Sequence, residues 1–199
     1  MSGSTDASRV KDVLRRSWNE PEHVDHWFER VTAIEFNDTA SREAWRRTIN
    51  GLLDDIDQEV LDLASGPGTI TQLWAEAGRR VMGLDFSLAQ IALAKRLSAE
   101  RGLSIDFVAG DAEDPPLGAG RLDVVSSRLT LFTLPRPGVA VRRWADLLRP
   151  GGLMLLIGEE PKAERPDPPP KMPPPLWTPD DDFRAALQHL PIREHGRGT

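Results

Sequence analysis

The residues best able to do chemistry stand where short apolar runs end. One run, 59–63, passes into Asp62-Leu63-Ala64-Ser65-Gly66-Pro67-Gly68-Thr69, and a helical pattern follows from Thr69 to Ala77. Glycines let a backbone approach a ligand closely, and a helix N-terminus presents unpaired N–H groups to a negative group. A nicotinamide or flavin fingerprint would place a third glycine where this chain has Thr71, which weakens the dinucleotide reading. The same residues are compatible with a Gly-Pro-Gly turn that only joins strand to helix. A second run, 80–84, ends in Gly83-Leu84-Asp85-Phe86-Ser87. Asp85 lies about 20 residues past the glycines, the spacing of an acid that grips two vicinal ribose hydroxyls. A strand-end capping role is the alternative for Asp85, and Phe86 suits either a purine face or core. A third run, 104–108, leads to Gly110-Asp111-Ala112-Glu113-Asp114, again at the edge where ligands of open α/β sheets collect.

Bringing these strand ends together takes a sheet. The runs 59–63, 80–84, 104–108, 122–126 and 152–157 alternate with helical stretches, the pattern of βαβ units and a doubly wound, mainly parallel α/β sheet. Ser87 is placed to cap a helix carrying Leu88, Ile91, Ala94 and Leu97, and Ala140, Trp144, Leu147 and Leu148 repeat at helical spacing. Before residue 55, Val24, Trp27, Phe28 and Val31 share one helical face and Ala44, Trp45, Thr48, Ile49 and Leu52 another, which predicts two N-terminal amphipathic helices. After Glu160 nine of the seventeen prolines fall between Pro161 and Pro179, a density incompatible with helix or central strand. Thr178 and Pro179 suit the start of a last short helix, Asp180 to Leu190. The expected organisation is a helical cap over 1–55, a ligand-binding core over 56–160, and a proline-rich segment with a short helix over 161–199.

Composition narrows the function classes. With no cysteine, disulfides, thiolate zinc sites and cysteine nucleophiles are excluded, and no oxidising compartment is required. Met1 to Arg9 is small and polar, and no apolar run approaches a membrane span, so the expectation is a cytoplasmic chain without membrane partners. A net charge of -6 gives no general pull toward phosphate backbones, which disfavours nucleic acid as a substrate. No metal site is expected, because no His pair at ligand spacing stands near an acid.

The set of motifs resembles the class I S-adenosylmethionine-dependent methyltransferase family over roughly residues 40–160: the glycine loop, the ribose acid, Gly110-Asp111-Ala112, and Leu148-Arg149-Pro150-Gly151-Gly152 occur in the family's order. That resemblance implies a Rossmann-like sheet with S-adenosyl-L-methionine as cofactor. It assigns the loop of Asp62, Ala64, Ser65, Gly66, Pro67 and Gly68 to the methionine part, Asp85 to both ribose hydroxyls, and Phe86 to the adenine face. Asp111 falls to the adenine amino group and Ala112, by its backbone, to a ring nitrogen. The segment Ser126 to Pro135 resembles the family's strand-four exit under the sulfonium, with Ser127 and Leu129 as its contacts.

Two departures stand out. Ala64 replaces a glycine common in relatives, a mild change so long as its φ stays negative. The family sheet ordinarily closes with two further strands, which the chain up to Thr199 is expected to lack; Leu153-Met154-Leu155-Leu156-Ile157 would then be an apolar edge, covered by the proline segment or by a second copy in a homodimer. The acidic charge and the lack of an appended recognition domain favour transfer to a small-molecule acceptor, which fold and cofactor alone do not fix. Trp18, Trp27, Phe28 and Trp45 suit either an acceptor pocket or core, with core favoured. His23 and His26 are base candidates on a helix that in relatives folds over the cofactor, but two solvated histidines are the favoured reading and no catalytic residue is assigned. Competing readings are a cyclase-like enzyme that keeps the cofactor without spending its methyl group, and a non-catalytic binding module.

Overall fold

The computed structural model describes residues 3–29, 38–53 and 58–158. Among the described residues three helices come first: α1 (Gly3–Ser17), α2 (Pro21–Trp27) and α3 (Thr39–Gly51). The sheet elements follow as β1 (Glu59–Leu63), α4 (Thr69–Glu76), β2 (Arg80–Asp85), α5 (Leu88–Glu100), β3 (Asp106–Ala109), β4 (Leu122–Arg128), α6 (Pro137–Leu147) and β5 (Leu148–Ile157). All five strands are parallel, in the order β3-β2-β1-β4-β5. The chain builds outward from β1 to β3, then returns to the other side of β1, so the switch point lies between β1 and β4.

Alternation along the strands divides the core in two. Leu61, Leu63, Leu84 and Val125 face α6 through Ala140, Val141, Trp144 and Leu147. Val60 and Val124 point the other way, onto Ile70, Leu73 and Trp74 of α4 and Ile49 of α3. Trp144 is fully buried, and truncating so large a side chain costs about 3–5 kcal/mol. Arg42 of α3 adds a 2.5 Å ion pair to Glu76 of α4, which fixes the third helix against the sheet layer.

The five strand runs are present, with several ends shifted, two of them by more than a residue at the strand's start. Leu148 to Gly152 already belongs to β5, because proline and glycine are tolerated on a strand that, among the described residues, pairs only with β4. β3 starts at Asp106 rather than 104, and of its four residues only Phe107 is buried. Ser87 caps α5 as expected, accepting from the Gln90 N–H at 3.2 Å. The buried stripe of that helix, however, is Gln90, Ile91, Ala94 and Ser98, while Leu88 is 66% exposed. The helix α1 is an addition to the expected pair, anchored by buried Leu14. The proline segment, the 180–190 helix and Val31 lie outside the described residues.

Candidate functional site

The carboxyl ends of β1, β2, β3 and β4 meet at one edge and are tied to one another. The Ser65 N–H donates to the Leu84 carbonyl at 3.0 Å, the Gly110 N–H to the Asp85 carbonyl at 2.9 Å, and the Ser127 hydroxyl to the Leu63 carbonyl at 2.9 Å. These bonds bring the expected residues Asp62 to Gly68, Asp85, Asp111 and Ser127 onto one rim of the sheet.

Below the rim Asp62 is buried, and its carboxylate accepts from the Thr71 hydroxyl at 2.6 Å and the Ser126 hydroxyl at 2.8 Å. The Ser126 oxygen in turn accepts from the Trp74 indole N–H at 3.1 Å. Pleat alternation explains the meeting, since Asp62 and Ser126 are paired neighbours on the α4 side. Burial pushes the Asp62 carboxyl up to about 6, against the opposing pull of the two hydroxyls.

The loop above passes through three left-handed residues, Ala64 at φ 51°, Gly66 at φ 53° and Gly68 at φ 78°. Ala64 therefore corrects the expectation of a negative φ. Placing a Cβ in that region costs roughly 1–2 kcal/mol, a strain that a glycine would relieve. A Cβ on Gly68 would strike the Phe107 ring at 2.9 Å, so this glycine serves packing as well as the turn. A Cβ on Gly66 would meet Gln90 Oε1 at 3.9 Å, an ordinary contact, so the positive φ rather than crowding favours glycine there.

Asp85 faces that loop. One carboxylate oxygen accepts from the Gly66 N–H and the other from the Ser87 N–H, both at 2.8 Å. Burial raises this carboxyl to about 6, opposed by backbone N–H groups of Ser87, Gly66 and Phe86. Phe86, partly buried beside it, has the Arg15 guanidinium 6.0 Å from its ring centre. On the β3 side, Asp111 accepts from the Glu113 N–H at 2.9 Å, and the Ala112 carbonyl accepts from the Trp144 indole at 2.6 Å. Leu129 at the β4 exit has φ 54°, and its N–H donates to the Ile157 carbonyl at 2.9 Å.

Sequence reasoning missed several side chains that organise this edge. Thr71, Trp74 and Ser126 complete the Asp62 network; Lys11 bridges Asp111 at 2.6 Å and Glu113 at 2.5 Å; Arg136 binds Glu113 through its backbone N–H and guanidinium. Only the position of Ser126, beside Asp62 on the neighbouring strand, carried a signal. His23 also departs from the solvated reading: its ring stacks on Trp18 at 4.4 Å, Nδ1 lies 2.8 Å from the Ser17 hydroxyl, and buried Nε2 has no partner. Burial, the largest influence, lowers its pKa. Trp18 meets Trp27 edge-on at 5.3 Å, and Trp45 packs on the α3–α4 core, so these three aromatics are at least in part packing residues.

The geometry fits S-adenosylmethionine. Ser65 Oγ is buried without a partner in the loop, and Asp85 offers remaining lone pairs on an acceptor already aimed at the loop. A family model described as a methyltransferase domain matches residues 61–156. Over 113 residues the chain is 34% identical to a demethylmenaquinone methyltransferase of Paenarthrobacter aurescens, covering 56% of this chain and 43% of that protein. It is 32% identical over 142 residues to a nocamycin O-methyltransferase of Saccharothrix syringae, covering 67% and 50% respectively. The chain thus spans about half the length, or less, of these curated relatives. The fold matches that of phosphoethanolamine N-methyltransferase 1 of Haemonchus contortus, solved with phosphoethanolamine and S-adenosylhomocysteine, at a TM-score of 0.57 and 23% identity, covering 75% of this chain and 32% of that one. Residues 61–156 are thus a methyltransferase domain, on the Rossmann-like fold of the class I S-adenosylmethionine-dependent methyltransferases.

Proposed function

We propose that this chain methylates a small molecule, with Asp62, Ala64, Ser65, Gly66, Pro67 and Gly68 around the methionine part of S-adenosylmethionine, Asp85 on the ribose hydroxyls, Phe86 on the adenine face, Asp111 and Ala112 on the adenine edge, and Ser127 and Leu129 beneath the sulfonium. One observation carries the reading: Asp85, buried at the end of β2, accepts the Gly66 N–H at 2.8 Å, so acid and glycine loop form one pre-set unit. A pure capping role explains the Ser87 bond but not an acceptor also turned onto a loop of left-handed residues. The small-molecule acceptor is supported by the relatives, whose names concern demethylmenaquinone and nocamycin.

Bound there, S-adenosylmethionine supplies a methyl group on positively charged sulfur, which an acceptor displaces in line. The chain's contribution is placement and exclusion of water, effects that lower such barriers by several kcal/mol. Asp62 holds the loop to α4 and β4 through Thr71 and Ser126, and Ser127 ties the β4 exit to β1. Leu129, strained at φ 54°, turns that exit toward the rim. His23, whose pKa burial lowers, sits on α2 against α5.

The test is incubation with S-adenosylmethionine and a panel of hydroxyquinones, phenols and enols. Acceptor-dependent formation of S-adenosylhomocysteine, lost in Asp85→Ala, is the expected result. Conversion of an acceptor without S-adenosylhomocysteine would instead support the cyclase-like reading, and cofactor binding with no turnover on any acceptor a binding module.

A further inference from the structure

The helix α1 lies across the ends of β3 and β2. Lys11 reaches Asp111 and Glu113, Arg15 stands over Phe86, the Trp18 carbonyl accepts the Ser87 hydroxyl at 2.6 Å, and the Asn19 side chain accepts the Ala89 N–H at 3.2 Å. Asp111 and Glu113 sit in unequal surroundings. The Glu113 side chain is fully buried and also held by Arg136, whereas that of Asp111 is 36% exposed. Burial alone would lower the Lys11 pKa, but hydrogen bonds and charges from the two carboxylates outweigh it and raise the value. Lys11 is therefore a full cation. Of the two Asp111 oxygens, Oδ1 serves the Glu113 N–H and Oδ2 serves Lys11.

We propose that Lys11 is a built-in competitor for the adenine amino group: its ammonium holds the Asp111 oxygen that the adenine would use, and cofactor binding displaces it onto Glu113 alone. This rests on the reading of Asp111 as the adenine amino acceptor. An ammonium 2.6 Å from Oδ2 repels the positive hydrogens of a second donor approaching the same oxygen. Release is inexpensive, because Lys11 keeps its 2.5 Å partner in Glu113 and yields only the partly exposed pair with Asp111. The consequence is an α1 that rests closed on the rim without ligand and loosens at its Lys11 end when adenine enters.

The experiment titrates S-adenosylhomocysteine, and its analogue lacking the purine amino group, into the wild-type chain, Lys11→Gln and Lys11→Arg. Lys11→Gln keeps a donor toward Glu113 and should bind S-adenosylhomocysteine about three- to tenfold more tightly, the strength of a partly exposed ion pair. The analogue should bind wild type and Lys11→Gln alike, and Lys11→Arg should behave as wild type. Raising salt from about 0.05 to about 0.5 M should tighten S-adenosylhomocysteine binding in the wild type, a test that needs no variant. Unchanged or weaker binding by folded Lys11→Gln would overturn the competition and make Lys11 a support for the site. Equal binding of the two ligands by Lys11→Gln would show that Asp111 does not hold the amino group, and so remove the underlying reading itself.

Discussion

The floor and the rim of the cofactor edge solve the same problem, holding carboxylates at strand ends, in opposite ways. On the floor, Asp62 is enclosed by neutral donors from α4 and β4, elements that flank it in the core. At the rim, Asp111 and Glu113 are met by full charges from Lys11, 100 residues from Asp111, and Arg136. A buried carboxylate with neutral donors cannot exchange partners without leaving them unsatisfied, so it belongs to the scaffold. A half-exposed ion pair is weak in net energy and can be traded for a ligand. The site thus has a fixed inner layer and an exchangeable outer one.

Stability separates the two layers first. Asp62→Ala strands the Thr71 and Ser126 hydroxyls in the core, and denaturant unfolding should show a loss of about 2–3 kcal/mol, whereas Asp111→Ala should cost less than about 1 kcal/mol. Equal losses at both positions would erase the distinction between floor and rim. The next effect is pH dependence. Asp62 and Asp85 have folded-state values of about 6, above their unfolded value of 3.8, so the folded chain binds more protons in that window. Their contribution should stabilise the protein as pH falls from 7 toward 5 and be lost as pH rises through about 6, visible in the denaturation midpoint. Affinity for S-adenosylhomocysteine should move oppositely, flat above about pH 6 and dropping by up to about tenfold per unit below it, because a protonated Asp85 gives up an acceptor for the ribose. Parallel slopes for stability and affinity would mean that Asp85 does not bind as a carboxylate. The smallest effect concerns the loop itself. Ala64→Gly should raise stability by about 1 kcal/mol, since φ 51° strains an alanine; no gain would place the strain elsewhere.

What could be read from the sequence follows the same division. Asp62 to Gly68, Asp85 and Asp111 were legible because strand ends and glycines recur at fixed spacing along the chain. The partners of Asp62 were not, because Thr71 and Ser126 acquire meaning only when α4 folds back and β4 pairs with β1. Lys11 was hidden further still. The helix that carries it shows only Val10, Val13 and Leu14 as an apolar stripe, and Val13 is exposed. Leu148 to Gly151 fell before the expected run 152–157, and the structure extends β5 through them because the position beside β4 tolerates proline and glycine. Propensity describes a residue's own backbone, and long-range pairing decides what that backbone is asked to do.

The most direct measurement is a calorimetric titration of S-adenosylmethionine into the wild-type chain and into Asp85→Ala, with thermal melts to establish that both are folded. Saturable one-to-one binding by the wild type, weakened at least about a hundredfold in the variant, is the expected result for two hydrogen bonds to a charged acceptor. Equal affinity in the two proteins, or no binding by the folded wild type, would contradict the assignment of this edge as the cofactor site.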